Sequence, residues 1–378
     1  MSAAATVVDV LAGDARWCVE RARCEAFAAT IPDGSVNLLW LDPPYFRVVD
    51  EEWDRAWKSE ADFLAWLRGV VREAARVLAP NGSLYLFASP KMGAAVETLA
   101  AEYFSVLNAI TWAKPESPSA KVYGVENFRQ YVQMSERVVF AEPPGADSAA
   151  MGAAGYAAKC EEVRGFVFEP LRAYLAAALE SSGWTTSRLN IALGFAKGGM
   201  ASHYFGRSQW QLPTAAHYDS MRRAMGREHL RREYDDLRRE YDDLRREYDD
   251  LRREYDDLRR PFDASRGGPI TDVWTYSAAL NEGGRHPCEK PAAMLRDVVL
   301  ASSRPSDVVC EFFGGSFRMA EAALSHGRRY IGCDMDPHWA SVGVERARAA
   351  ERGTLAMVPA RQSKPADARQ PSLFGGAP

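Results

Sequence analysis

No stretch of 18 consecutive apolar residues occurs among the 378 residues of this chain, which argues against a membrane-spanning helix. The N-terminus, MSAAATVVDV, has no basic segment ahead of an apolar core, so no secretory signal is expected. The six cysteines (Cys18, Cys24, Cys160, Cys288, Cys310, Cys333) are scattered, with no Cys-x-x-Cys pair. That spacing argues against a zinc site or a disulfide framework and for reduced thiols in a cytoplasm. A Gly-x-Gly-x-x-Gly is missing too, which argues against a dinucleotide ligand.

A net positive charge is missing overall: the formal net charge is −4, which at first speaks against a nucleic-acid partner. The average hides a local pattern. Residues 231–258 are four copies of RREYDDL, with 8 Arg against 12 acids, which leaves 39 basic and 39 acidic residues elsewhere. Residues 186–230 carry Arg188, Lys197, Arg207, Arg222, Arg223 and Arg227 against only Asp219 and Glu228. His203, His217 and His229 add to that bias. A basic patch on a neutral body suits a DNA-contacting surface.

Chain length and an apolar share of 47% allow two or three domains. GSVNLLWL (34–41) reads as a strand buried on both faces, as in a parallel sheet. Residues 61–78 read as an amphipathic helix with Phe63, Leu64, Trp66, Leu67, Val70, Val71 and Ala74 on one side. SLYLFAS (83–89) is a second strand, and further strands are expected at 104–112 and 137–141. The Ala, Gly and Pro-rich segment 142–160 reads as a linker, and 166–260 as almost all helical. From 268 the pattern returns to α/β, with strands near 273–277, at 307–313 and at 329–334, and helices from about 292 and between the last two strands. The expectation is an α/β fold with a doubly wound, mostly parallel, Rossmann-like sheet formed by residues 1–145 and 268–350. A helical insertion at 146–267 interrupts it, and a disordered tail follows from 351.

VVCEFFGGSFRMAEAAL (308–324) is strand, tight turn and helix. Gly314 and Gly315 permit a sharp turn and close backbone approach to a ligand, and the helix points its N–H groups at whatever sits there. Asp334 ends the next strand, at the spacing of a ribose-binding acid. Glycine turns also arise for packing alone. S-adenosylmethionine, with an adenosine end and no pyrophosphate, stays open as the ligand.

Together these pieces resemble the amino-methylating DNA methyltransferases of the permuted β class, adenine-N6 type. Four landmarks stand in that class's order: Gly13-Asp14, Asp42-Pro43-Pro44-Tyr45, His286-Pro287-Cys288-Glu289-Lys290-Pro291 and Phe313-Gly314-Gly315-Ser316. The resemblance implies S-adenosylmethionine as cofactor, with Asp14 on its adenine, Asp334 on its ribose and the Phe313, Gly315 and Ser316 loop around its methionine part. His286 and Lys290 would lie near the methionine carboxylate, with Asp42 at the methyl end. Where the family usually has Gly and Thr after Gly-Ser, this chain has Phe317 and Arg318.

The same resemblance makes Asp42, Pro43, Pro44 and Tyr45 the catalytic group. An adenine N6 amino group is a poor nucleophile, because its lone pair is delocalised into the ring. The Asp42 carboxylate and Pro43 carbonyl can hold its two hydrogens and favour the positive charge that grows during attack. Tyr45 would stack on a base flipped out of the duplex. The plain alternative is a strand stopped by prolines. An initial Asp favours adenine by family habit, and cytosine-N4, RNA or non-catalytic DNA-binding readings are the alternatives. Trp53, Asp54, Trp112, Ala113 and Lys114 could line the base pocket or pack in the core.

The insertion holds TTSRLNIALGFAKGGMASHYFGRSQWQLPT (185–214), which reads as a helix-turn-helix with His203, Arg207, Ser208 and Gln209 reaching DNA. A small helical packing module is the alternative. The RREYDDL repeats put Tyr and Leu on an a/d seam about 42 Å long at 1.5 Å per residue. The favoured reading is a coiled-coil arm joining two copies as a homodimer, and an isolated charged helix is the other. In the tail, Gln370, Leu373 and Phe374 resemble the peptide by which bacterial proteins dock on the sliding clamp. The expected partner is double-stranded DNA, not a membrane, and the expected location is a bacterial or phage-infected cytoplasm.

Overall fold

The computed structural model describes residues 5–46, 56–114, 129, 131–145, 156–195, 200–207, 209–266, 268–277 and 288–353. The chain divides into two compact units: Met1–Ala146 with Arg260–Pro378, and Asp147–Arg259.

The first unit is built on one eight-stranded sheet. Its strands are β1 (Trp17–Arg21), β2 (Val36–Leu41), β3 (Leu78–Ala88), β4 (Ser105–Ala113), β5 (Ser135–Glu142), β6 (Val273–Trp274), β7 (Val308–Glu311) and β8 (Arg329–Asp334). They lie in the order β1-β8-β7-β2-β3-β5-β4-β6. Among the described strands, the β3–β5 and β5–β4 pairs are antiparallel and the others parallel. The fold is therefore the expected α/β Rossmann-like one, with N- and C-terminal strands interleaved in a single sheet.

Alternation along β2 shows why it is apolar throughout. Leu39 and Leu41 enter one core cluster, with Phe63, Leu67 and Val71. Leu38 and Trp40 enter the other, with Met294, Val298, Met319 and Tyr330. Successive strand residues point to opposite faces, so a sheet covered on both sides needs apolar residues at every position. Helix α3 (Glu60–Val77) covers the first face. Ser59 caps it, with Asp62 completing a capping box, and Phe63, Leu67, Val70, Val71, Ala74 and Val77 form its buried stripe. Helices α1 (Val7–Ala12), α2 (Cys24–Ala28) and α4 (Gly93–Ala100) precede and follow it.

The sheet's winding reverses between β2 and β7. The chain steps from β2 to β3 in one direction and from β7 to β8 in the other. Strand β1 escaped the sequence reading. It is an edge strand, WCVER, with a single buried side chain, Cys18, so its pattern is too polar to announce it.

The second unit is helical: α5 (Tyr156–Val167), α6 (Glu169–Ser182), α7 (Thr186–Ala192), α8 (Ser202–Phe205), α9 (Ala215–Met225) and α10 (Tyr234–Leu258). Leu171, Leu175, Leu189, Tyr204, Phe205, Tyr218, Met221 and Leu237 centre its core. Two expectations bear on this unit. The heptad seam faces its own chain: α10 packs along α5, and Tyr234, Leu237, Tyr241, Leu244, Tyr248 and Leu251 join the core. Phe168 lies 5.3 Å from Tyr241 and 5.9 Å from Tyr248, ring to ring. The seam is thus engaged within this chain from Tyr234 to Leu251, while Leu258 at its far end is 52% exposed. The helix after the glycine turn is likewise only four residues, Ser202–Phe205, with Tyr204 and Phe205 buried. One turn with its aromatic side inward is too short to lie along a major groove as a recognition helix.

After α10 the chain rejoins the first unit at Arg260. The Arg260 guanidinium sits over the Phe140 ring at 5.2 Å and pairs with Glu142. Helices α11 (Ala292–Ser302), α12 (Arg318–Ser325) and α13 (Pro337–Glu351) complete the second face.

Candidate active site

Strands β2 and β7 are parallel neighbours, paired at Leu38↔Val309, Leu39↔Cys310 and Trp40↔Glu311. Asp42 stands two residues beyond Trp40, and Phe313 two beyond Glu311. Adjacent strands run about 4.8 Å apart, so Asp42 and the glycine loop leave the same edge of the sheet side by side. Pro43 and Pro44 end β2 because neither has an N–H to continue the ladder. Ligands of open α/β sheets bind at such an edge, where the winding reverses.

A cluster of charge surrounds Asp42. Its Oδ2 lies 2.6 Å from Lys290 Nζ, and its Oδ1 accepts a 2.7 Å hydrogen bond from the Tyr45 hydroxyl. The same hydroxyl lies 2.7 Å from Glu136 Oε2. Lys290 Nζ is 3.3 Å from Glu136 and donates to the Tyr45 oxygen at 3.1 Å. Lys114 Nζ closes the group at 2.6 Å from Glu136 Oε1. Side-chain exposure is 6% for Lys290, 17% for Asp42 and 12% for Glu136, so water screens these charges little. Glu136 reaches this edge because β5 runs antiparallel to β3, with Arg137 opposite Ala88.

Burial pushes the Asp42 carboxyl up against the pull of Lys290. It pushes Glu136 up as well, but Lys290 and Lys114 together outweigh it and hold that carboxyl below its ordinary range. Burial disfavours the Lys290 ammonium, yet Asp42 and Glu136 more than restore it, so it stays charged. Burial and the two carboxylates keep the Tyr45 phenol protonated.

The glycine loop is held by the acid that ends β8. Asp334 Oδ2 accepts from Gly315 N at 2.7 Å, and Oδ1 from Asp336 N at 2.8 Å. Phe317, where the family usually has glycine, adopts φ +55°. A left-handed residue with a Cβ costs about 1–2 kcal/mol. Its ring is fully buried, which returns roughly 1.5–3 kcal/mol. The ring lies against Gly314 and Gly343, at both of which a Cβ would collide with it. The loop thus keeps a glycine-like path with phenylalanine in it. Arg318 is also accommodated: it pairs with the buried Glu289, which Arg346 contacts at 3.0 Å.

A family model described as DNA methylase matches residues 36–345, which takes in both edges of this site. The chain belongs to the DNA methylase family. Among curated relatives, it is 35% identical over 78 residues to the DNA adenine methyltransferase YhdJ of Escherichia coli, covering 20% of this chain and 26% of that one. It is 33% identical over 86 residues to the type II methyltransferase M2.DpnII of Streptococcus pneumoniae, covering 22% and 32%. The chain thus spans about a quarter to a third of the length of these relatives. Among solved structures, the PvuII cytosine-N4-specific DNA methyltransferase aligns with a TM-score of 0.48 at 11% identity, over 88% of this chain and 86% of that one. The putative DNA modification methylase TTHA0409 of Thermus thermophilus, complexed with S-adenosyl-L-methionine, aligns at 0.44 and 18%, over 89% and 94%.

Of the residues singled out in this methylase's sequence, Asp42, Pro43, Pro44, Tyr45, Lys290, Phe313, Gly315, Ser316 and Asp334 come from the one sheet edge or the loops leaving it. Lys290 stands differently from expectation, because two buried carboxylates engage its ammonium. Asp14 does not join the site. It precedes β1, whereas the far end of β1, Arg21, pairs with Asp334. At about 3.3 Å per residue, five strand residues set Asp14 roughly 16 Å away, at the opposite edge of the sheet. Gly13-Asp14 is instead the end of α1, with Gly13 as a left-handed cap at φ +91°. Trp112 is a core residue whose indole N–H donates to the Tyr276 carbonyl at 2.9 Å, while Lys114 belongs to the cluster.

Glu136 was missed, although an acid inside the run SERVVFAE was the available signal. In the helical unit, Arg207 is 78% exposed and 3.5 Å from Glu169. The Gln209 N–H donates to Glu161 at 3.2 Å, and His203 is half-buried. Arg222 leaves the basic patch: it is buried, forking onto Glu233 at 2.7 and 2.9 Å. Trp53, Asp54, Ser208, His286, Gln370, Leu373 and Phe374 lie outside the described residues.

Proposed function

We propose that this chain transfers a methyl group from S-adenosylmethionine to an exocyclic amino nitrogen of a base in double-stranded DNA, N6 of adenine. The observation that carries this reading is the departure of Asp42 and the glycine loop from adjacent parallel strands at the reversal point of the sheet. Membership of the DNA methylase family sets the substrate class. The Asp at the head of Asp42-Pro43-Pro44-Tyr45 favours adenine, as does the likeness to YhdJ.

The residues present fit the cofactor. Phe313, Gly315 and Ser316 would hold its methionine part, and Asp334, which ends β8 and holds the Gly315 N–H of that loop, its ribose. Bound there, the cofactor supplies an electrophilic methyl group. Asp42 accepts from the amino group, orients it and offsets the positive charge that grows on nitrogen. Its fixed position beside Lys290 and Tyr45 is set before substrate arrives, so little reorganisation is needed during the reaction. Tyr45 offers a ring for the flipped base, and Arg207, exposed on the helical unit, contacts the DNA backbone or a base edge.

Expression in a bacterium that lacks its own adenine methylation, followed by mass spectrometry of DNA nucleosides, tests the base assignment. N6-methyladenine is expected, and N4-methylcytosine alone would reverse the base while keeping the reaction class. Cofactor binding separates the two candidate acids. Asp334→Ala should weaken S-adenosylmethionine binding about tenfold to a hundredfold, the value of a charge-assisted hydrogen bond. Asp14→Ala should leave it within about twofold. Equilibrium dialysis reads both, and a large loss in Asp14→Ala would contradict the placement of that residue.

A further inference from the structure

Glu136 and the Tyr45 hydroxyl are built into the site beside Asp42. The hydroxyl has one proton and two lone pairs. Three polar groups crowd it: Lys290 Nζ at 3.1 Å, Asp42 Oδ1 at 2.7 Å and Glu136 Oε2 at 2.7 Å. The ammonium donates into one lone pair, and the hydroxyl proton goes to one carboxylate. The other carboxyl oxygen stays within hydrogen-bond reach at 2.7 Å on the far side, so the hydroxyl can turn its proton to either one and take a proton from the other into its second lone pair. The spacing is that of a hydroxyl accepting a proton on one side while giving one up on the other.

We propose that Asp42, Tyr45 and Glu136 form a proton relay that carries the proton released by the amino group to solvent. The relay rests on the methyl-transfer reading above. As the N–C bond forms, the C–S bond breaks with its electron pair going to sulfur, and the nitrogen becomes cationic with one proton too many. Asp42 takes that proton and passes it to the Tyr45 oxygen, whose own proton moves to Glu136. Glu136 then loses it to water beside Lys114, whose side chain is 33% exposed. The products are methylated amine, the neutral thioether and one free proton, so charge and atoms balance.

Burial lifts the Asp42 carboxyl, which makes it a ready acceptor, while Lys290 and Lys114 hold Glu136 down, which makes it a poor keeper. The inner step is therefore uphill, and release to water draws it through. Asp42 touches the reacting nitrogen; Glu136 acts through Tyr45.

The test uses the full chain in single turnover, with S-adenosylmethionine and unmethylated duplex DNA. Tyr45→Phe keeps the ring and removes one oxygen. Glu136→Gln keeps the size of the side chain and removes its ability to take a proton. Each should slow methyl transfer about tenfold or more, and the double variant should be no slower than the slower single, because members of one relay are not additive. Glu136→Asp should recover part of the rate, and cofactor affinity should stay within about twofold in the Tyr45→Phe variant. A wild-type rate in Tyr45→Phe overturns the relay, as does multiplication of the two effects in the double variant. If Glu136→Gln does not fold, Tyr45→Phe decides alone. No transfer by the unmodified chain would remove the relay together with the reading it rests on, and that failure shows before any variant is made.

Discussion

Asp42→Ala is expected to abolish methyl transfer, with a loss of about a thousandfold or more, while cofactor affinity should stay within a few-fold. Removing one preorganised group that meets developing charge costs roughly 10²–10³ in rate in a dry site, and Asp42 also begins the exit of the proton. The variant should still fold. Lys290 loses one carboxylate but keeps Glu136 at 3.3 Å, so no buried ammonium is left alone, and Pro43 and Pro44 still end the strand. Single-turnover transfer and equilibrium dialysis on the same preparation separate chemistry from binding. Retained turnover would remove Asp42 from the mechanism. A large loss of cofactor affinity would mean that it serves binding instead.

Lys290→Met carries the largest expected cost in stability. The ammonium is almost fully buried between two carboxylates and lies over the Phe87 ring at 4.8 Å. Methionine fills similar volume but, among the described residues, leaves Asp42 with the Tyr45 hydroxyl, and Glu136 with Lys114 and that same hydroxyl. Breaking a buried pair by removing one partner costs about 3–5 kcal/mol, because a charge is left uncompensated. Urea unfolding should show a loss of that size, together with loss of transfer. A change below about 1 kcal/mol would mean that water screens the cluster as it does a surface pair.

The parts of the fold that depend on local pattern were legible. The apolar run of β2, the capped stripe of α3 and the strand-glycine-helix of 308–325 stand where periodicity and turn residues put them. Asp42-Pro43-Pro44-Tyr45 could be read because proline marks a strand end unambiguously. What pattern does not encode is the neighbour. The Tyr and Leu seam of 234–251 fixes a stripe on a helix, but not whether a second copy or Phe168 and α5 cover it. Gly13-Asp14 satisfies a motif in sequence, yet the strand that follows it carries the chain away from that end of the sheet. Glu136 lay hidden because its role depends on β5 running against β3, a pairing that only the assembled sheet provides. Phe317 shows the converse: a residue that departs from the family pattern adopts the glycine-like conformation, with the ring buried in exchange.

The most direct test of the central claim is to incubate the purified chain with S-adenosylmethionine bearing a labelled methyl group and unmethylated genomic DNA, then separate the nucleosides. The account predicts label in N6-methyladenine from the unmodified chain and none from Asp42→Ala. Unlabelled DNA after incubation with a chain that binds the cofactor would contradict it, as would equal labelling by both proteins.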